Sequence, residues 1–269
     1  MFDHHDGVSQ RQAARKFKCT QPMICKTLKT KTRIVCFKKK KIPMRTEAQR
    51  ERIRICCDRL YRKLEGVSCI IDDESYFTLA HSTINGNGNF YSSDVSATPS
   101  NVKYRPTAKF EKKILVWLCF SEQGVSRAFF VPSGLAIDQN IYLEQCIKKR
   151  LVPFIEKYHP DGQYLFWPDL ASAHYAKKVI SYFGEKNINF VTKCDNPPNV
   201  PELRPIEDFW GILKGLVYAN NWQAKDPAQL RDRINDCLKK IDLGLVQDTF
   251  RSTRLRIGRV RRNGLIEDN

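Results

Sequence analysis

The chain has 269 residues, with 46 Lys and Arg against 29 Asp and Glu, a net charge of +17. That excess points to a polyanionic partner, and no secretory segment or long apolar span opens the chain. Ten cysteines include no Cys-x-x-Cys pair and only five histidines accompany them, which argues against a zinc site and for reduced thiols in an intracellular protein.

The charge is uneven. Residues 1–66 hold 19 basic and 6 acidic residues, whereas the remaining 203 hold 27 and 23. A basic arm on a near-neutral body suits contacts to a phosphate backbone, contacts that weaken steeply with salt. Within the arm, Ser9 to Phe17 reads as a short helix capped by Ser9, and Thr20 can cap a second from Gln21 to Thr30 with Ile24 and Leu28 on one face. Two short helices with a tight connection have the outline of a helix-turn-helix, whose second helix enters a major groove. Arg11, Gln21, Lys26 and Lys29 are then the candidate DNA contacts, while an ordinary helical pair is the alternative. The run Lys38, Lys39, Lys40, Lys41 reads as a nuclear localisation signal, a groove-tracking linker or a solvated linker. It leads into a charged helical stretch at 47–63, and six arginines between 251 and 262 suggest a helix end or a DNA-contacting tail. The expected organisation is a DNA-binding segment at 1–35, a basic linker at 36–66 and one large domain at 67–269.

In that domain, strand 67–79 precedes a polar stretch at 82–105 and a hairpin running from 113–120 to 125–131. Helix 138–150, strand 164–169, helix 172–186, strand 188–192, a Pro/Asn loop at 195–204 and helices from Pro205 onward follow. Mixed strands followed by alternating elements indicate an α/β fold with helices on both faces.

Two of these strands end in acids. The β-branched run Val67 to Ile71 delivers Asp72, Asp73 and Glu74, and Tyr164 to Trp167 delivers Asp169. Pro205 is a good first helical residue, so Glu207 projects from a first turn, with 37 residues between it and Asp169. Three carboxylates brought together by a sheet can hold divalent ions, which clamp the attacking and leaving oxygens of a phosphoryl transfer. Side chains alternate along a strand, so only one of Asp72 and Asp73 faces such ions. Each acid alone also suits a turn or a helix dipole; the combination carries the weight.

The chain resembles the mariner superfamily of cut-and-paste DNA transposases. The resemblance rests on Asp72 to Phe77, on Lys109 to Trp117 with Ser121 to Ser126, on Asp169 to His174, and on Asn196 to Asn199 leading to the Pro205, Ile206, Glu207 helix with Trp210. The 37-residue interval is similar to the branch with a third-position Glu. The resemblance implies a ribonuclease-H-like domain in which Asp73, followed by Glu74, joins Asp169 and Glu207 as catalytic and metal-binding residues. It also implies two Mg²⁺ or Mn²⁺ ions, cleavage at terminal inverted repeats, joining of the 3′ hydroxyl to target DNA at TA, a homodimeric synaptic complex and a nuclear location with no membrane partner. His174 lies in the same motif, near the metals or in a structural role. The family's N-terminal region has two helix-turn-helix modules, and only eight residues precede Ser9, so a truncated copy or fragment is expected. The alternatives are an inactive or domesticated DNA-binding derivative and a general nuclease of the same fold.

Overall fold

The computed structural model describes residues 2, 9–32, 34, 44–79, 92–104 and 112–265, so the Lys38 to Lys41 run and Lys109 to Glu111 lie outside the described residues. It divides into two compact units, Met1–Met44 and Arg45–Asn269.

The first unit holds helices α1 (Gln10–Lys16) and α2 (Gln21–Lys31). Ser9 caps α1 through a reciprocal capping box with Gln12. Thr20 occupies the cap position of α2 without a side-chain hydrogen bond, and Pro22 stands in the first turn, where a missing N–H costs no helical bond. The connection turns through Lys18 at φ 51, a left-handed conformation that glycine adopts more readily. Ala13 and Ala14 are buried, and Gln21 Nε2 donates to Gln10 Oε1 at 2.7 Å, tying the helices together. Arg11, Lys26 and Lys29 are exposed, as expected.

In the second unit, α3 (Glu47–Lys63) precedes β1 (Ser68–Thr78), the short α4 (Ser100–Lys103) and β2 (Lys113–Ser121). β3 (Gly124–Val125) and β4 (Phe129–Phe130) both pair with β2, and β5 (Tyr164–Trp167) runs parallel to β1, giving the order β3-β2-β1-β5. Because β1 is central, both its faces are covered. Ile71 joins one apolar layer with Phe120, Phe209 and Leu213, and Ile70 the other with Trp117, Tyr142 and Phe166. That two-sided burial explains the unbroken β-branched run in this part of the sequence.

The elements depart from the sequence expectation in four places, three of them helical. The rod expected at 138–150 extends through α5 (Gln139–Ile141), a π-helix (Tyr142–Leu151) and α6 (Val152–Tyr158). Pro153 supplies no N–H, and the wide turns before it, with Val152 N–H bonded to Ile147 O, carry the rod past that gap. The helix expected at 172–186 starts only at α7 (Lys177–Glu185), because Ala176 is extended at ψ 143 and the preceding residues form turns anchored on Asp169. The strand at 188–192 contracts to one bridge between Phe166 and Phe190. Finally, α3 is part of the domain rather than of a linker, with Ile53, Cys57 and Leu60 in the core.

Three long helices complete the unit: α8 (Pro205–Val217), α9 (Pro227–Lys239) and α10 (Leu243–Asn263). The arginines at 251–262 therefore lie on a packed helix. Arg254 donates to Leu64 O at 3.3 Å, Arg256 to Glu202 O and Asp208 at 2.7 Å, and Arg261 pairs with Asp58 at 3.2 Å.

Candidate active site

Consecutive residues of β1 point to opposite faces, and the two acids divide accordingly. Asp72 is fully buried on the π-helix side. Its Oδ2 accepts from Tyr142 OH at 2.7 Å and Trp117 Nε1 at 3.1 Å, and its Oδ1 accepts from the backbone N–H of Asp169 at 3.2 Å. Burial pushes this carboxyl up, while His174, the Tyr142 hydroxyl and Arg204 favour the ion. Three donors thus converge on its two oxygens.

Asp73 faces the α8 side. Its Oδ2 accepts from Trp210 Nε1 on α8 at 3.1 Å. Burial pushes this carboxyl up to about 7; Arg204 pulls the other way, and Glu74 and Asp169 add repulsion. Glu207 stands exposed in the first turn of α8, one turn before Trp210. Lys214, further along that helix, is partly desolvated and feels both Glu207 and Asp73, so these acids share one electrostatic neighbourhood.

Asp169 follows β5, where its Oδ2 accepts from Ala171 N at 3.3 Å. His174 is 1% exposed, stacks on Tyr142 with ring centroids 3.8 Å apart, and sets Nδ1 3.2 Å from Asp169 O and Nε2 3.4 Å from Glu74 Oε1. Burial works against its charge, but Asp72 and Glu74 outweigh it and hold its pKa above the ordinary value. Both ring nitrogens face oxygens, so the imidazolium satisfies both as a donor. This geometry gives His174 a positioning role behind Asp169.

Two further residues bind the segments: Arg204, which had no role in the sequence reading, and Asn196, which opens the run that carried part of the resemblance but had no role of its own there. Arg204 is 8% exposed; its Nη2 donates to Asp72 O at 2.8 Å, its Nη1 reaches Pro168 O at 3.4 Å, and its guanidinium covers the Trp167 ring. It thereby joins the middle of β1, which runs on to Thr78 past the acids expected at its end, and the segment after β5 to the start of α8. Asn196 accepts from Trp167 Nε1 and donates to Pro168 O and Tyr175 OH, each at 2.8 Å. A basic residue just ahead of Pro205, and an Asn opening an Asn-Pro-Pro-Asn run, were the signals available.

As a donor set, Asp73, Asp169 and Glu207 offer only hard carboxylate oxygens, which suits a divalent cation of the Mg²⁺ or Mn²⁺ class. An acid desolvated beside a second acid is also a group that a cation would stabilise. Among the described residues, no three His, Cys, Asp or Glu side chains lie close enough together to hold a metal ion. Nine cysteines among the described residues are free thiols.

No family model matches the chain. Over 145 residues it is 32% identical to the Tc3 transposase of Caenorhabditis elegans, a match covering 54% of this chain and 42% of that transposase, so the chain spans less than half of the curated relative it matches. Its fold is similar to the Mos1 transposase in a paired-end complex with the left transposon end, at TM-score 0.73 and 18% identity over 97% of this chain and 75% of the other. The Mos1 catalytic domain alone matches at TM-score 0.61 and 16% identity, over 82% of this chain and 96% of that domain. The mixed sheet with helices on both faces is thus the ribonuclease-H-like fold that the sequence resemblance implied. Part of the chain is thus similar in sequence to the Tc3 transposase, and its fold is similar to that of the Mos1 mariner transposase.

Proposed function

We propose that this chain is a cut-and-paste transposase that cleaves DNA at element ends and joins the freed 3′ hydroxyl to target DNA. One observation carries the reading: Asp73 on β1 is hydrogen-bonded to the helix that bears Glu207 and is charge-coupled to Asp169 at the end of β5. Asp73, Asp169 and Glu207 are the residues that would hold two Mg²⁺ or Mn²⁺ ions; Mos1 has been solved with Mn and with Mg. Bound there, such ions would lower the pKa of the attacking water and stabilise charge on the phosphoryl group. In cleavage the water oxygen forms a bond to phosphorus as the bond to the 3′ oxygen breaks, leaving a 3′ hydroxyl and a 5′ phosphate. In joining, that hydroxyl attacks a target phosphate and releases a target 3′ hydroxyl. Neither step needs a covalent enzyme intermediate.

The chain's own residues supply positioning. Asp72 and His174 fix the backbone of Asp169, Arg204 holds the three acid-bearing segments together, and Trp210 orients Asp73. The α1–α2 pair, with exposed Arg11, Lys26 and Lys29 and with Gln21 at the start of α2, would meet the terminal inverted repeats. The Lys38 to Lys41 run suits nuclear import. A homodimer would pair two transposon ends; Mos1 has been solved as a paired-end complex.

A binding-only derivative is the second reading, favoured by the lack of a three-donor cluster among the described residues. Mn²⁺-dependent joining of a pre-cleaved end, beside Asp169→Ala and Glu207→Ala, separates the two. Joining that both substitutions abolish is the expected result; DNA binding without joining would establish the binding-only reading.

A further inference from the structure

At the sheet edge formed by β3 and β4, lined by none of the acids, a cavity of about 770 Å³ opens between the π-helix and α9. Its lining includes Arg127, Lys149, Arg150 and Lys239 with Ser126 and Asn235, and no Asp or Glu. Arg231 adds a further cation nearby, over the Phe130 ring.

Arg150 is the informative member. Its guanidinium lies over the Phe129 ring at 4.7 Å, and Nη1 donates to Gln145 O at 2.6 Å. Its Nε is buried with no hydrogen-bond partner among the described residues. A buried N–H left without an acceptor costs about 1–3 kcal/mol, more on a charged group, so an acceptor brought to this guanidinium is favoured. The surrounding acids do not meet that need. Asp236 pairs with Lys239 at 3.1 Å and Glu144 with Lys148 at 2.7 Å. Lys149 reaches only the neutral Gln145 Oε1 at 3.3 Å, and Arg127 is exposed at the rim.

We propose that this pocket is a phosphate-binding site that seats the backbone of duplex DNA, separate in its lining from the carboxylates. A planar guanidinium with a free N–H, flanked by exposed ammonium and guanidinium groups, matches phosphate oxygens. The phosphate chemistry follows from the cavity alone, and DNA as its source rests on the proposed transposase activity. The consequence is a second stretch of duplex held while another occupies the acids.

The test measures how binding of a random-sequence duplex by the full chain depends on salt. Arg127→Glu/Lys149→Glu changes exposed side chains only and should leave the thermal unfolding midpoint unchanged. Lys157→Glu/Lys186→Glu is a control of equal charge on α6 and after α7. Each lost phosphate contact lowers the slope of log affinity against log salt by about 0.9, so the pocket variant should lose about 2 units while the control keeps the wild-type slope. Equal losses in both variants, or no loss in either, would overturn the proposal. Tripolyphosphate binding, measured by calorimetry, distinguishes the sources: loss of that binding with an unchanged DNA slope would overturn DNA as the occupant in favour of a free anion. A pocket-dependent slope in a chain that joins no DNA ends would uphold the phosphate site and sink the transposase reading instead.

Discussion

Neighbouring acids on β1 should respond oppositely to the same chemical change. In Asp72→Asn, the amide offers one acceptor where the carboxylate accepts from Tyr142, Trp117 and Asp169 N–H. The better orientation keeps the amide oxygen toward Tyr142 and Trp117, which turns the NH₂ group onto the Asp169 N–H. One buried donor is then unsatisfied, at about 1–3 kcal/mol, and two charge-assisted bonds become neutral ones, at about 1 kcal/mol each. Removing a buried charge returns part of its desolvation cost, so the expected net loss is about 2–4 kcal/mol. Asp73→Asn removes a desolvated charge from beside Asp169 while an amide oxygen can still accept from Trp210, so its stability should match or exceed wild type. Urea unfolding at pH 7.5 followed by tryptophan fluorescence measures both, and joining activity is read in parallel. Activity should vanish in Asp73→Asn from a fully stable protein. Should Asp72→Asn lose under 1 kcal/mol, or Asp73→Asn lose more than it, the assignment of anchor and reacting acid is refuted.

Arg204→Lys keeps the charge but cannot span Asp72 O and Pro168 O together, so joining should fall at least tenfold with only about 1–2 kcal/mol of stability lost in the same urea assay. At Gly258 a Cβ would lie 3.0 Å from Tyr61 Cε2, whereas at Gly211 it meets nothing within 4 Å. Calorimetric melting should therefore show Gly258→Ala destabilised by about 1–2 kcal/mol despite its better helix propensity, and Gly211→Ala stabilised by about 0.5–1 kcal/mol. Asp195 bonds to Lys63 at 2.6 Å and Arg59 at 3.1 Å, and these, with Thr192, hold its pKa at about 2. A depressed carboxylate contributes stability above its unfolded pKa of about 3.9 and loses it as pH falls toward 2. With both cations well exposed, that contribution is about 1 kcal/mol, and Asp195→Asn should flatten acid unfolding curves between pH 4 and 2 by that amount.

Much of the fold was legible because its strands carry two-sided burial in their own residues. The Val67 to Ile71 run marked a covered central strand, Pro205 marked the start of α8, and the Ser9/Gln12 pair marked α1. What stayed hidden depends on partners distant in sequence. Asp72 read as a rival to Asp73, since nothing local announces that Tyr142 and Trp117 will converge on it. Arg204 read as one basic residue among 46. The arginines of α10 looked like a tail because their acceptors, at Leu64, Glu202 and Asp58, lie far back along the chain. Local periodicity suggested a helix from 172, but the side chain of Asp169 captures the backbone N–H of Ala171 and holds that segment in turns.

The bonding around Asp72 and Arg204 also governs when a newly made chain acquires its chemistry. The strand carrying Asp73 leaves the ribosome long before Asp169, and α8 with Glu207 later still. Asp169 has local bonds to Ala171 and His174, but the bonds that tie the acid-bearing segments to one another, from Asp169 to Asp72, Arg204 to Asp72 and Trp210 to Asp73, span 97, 132 and 137 residues. A partial chain therefore has the acids without their arrangement. On the proposed function, the acids are fully arranged only once α8 has been made and has packed against β1.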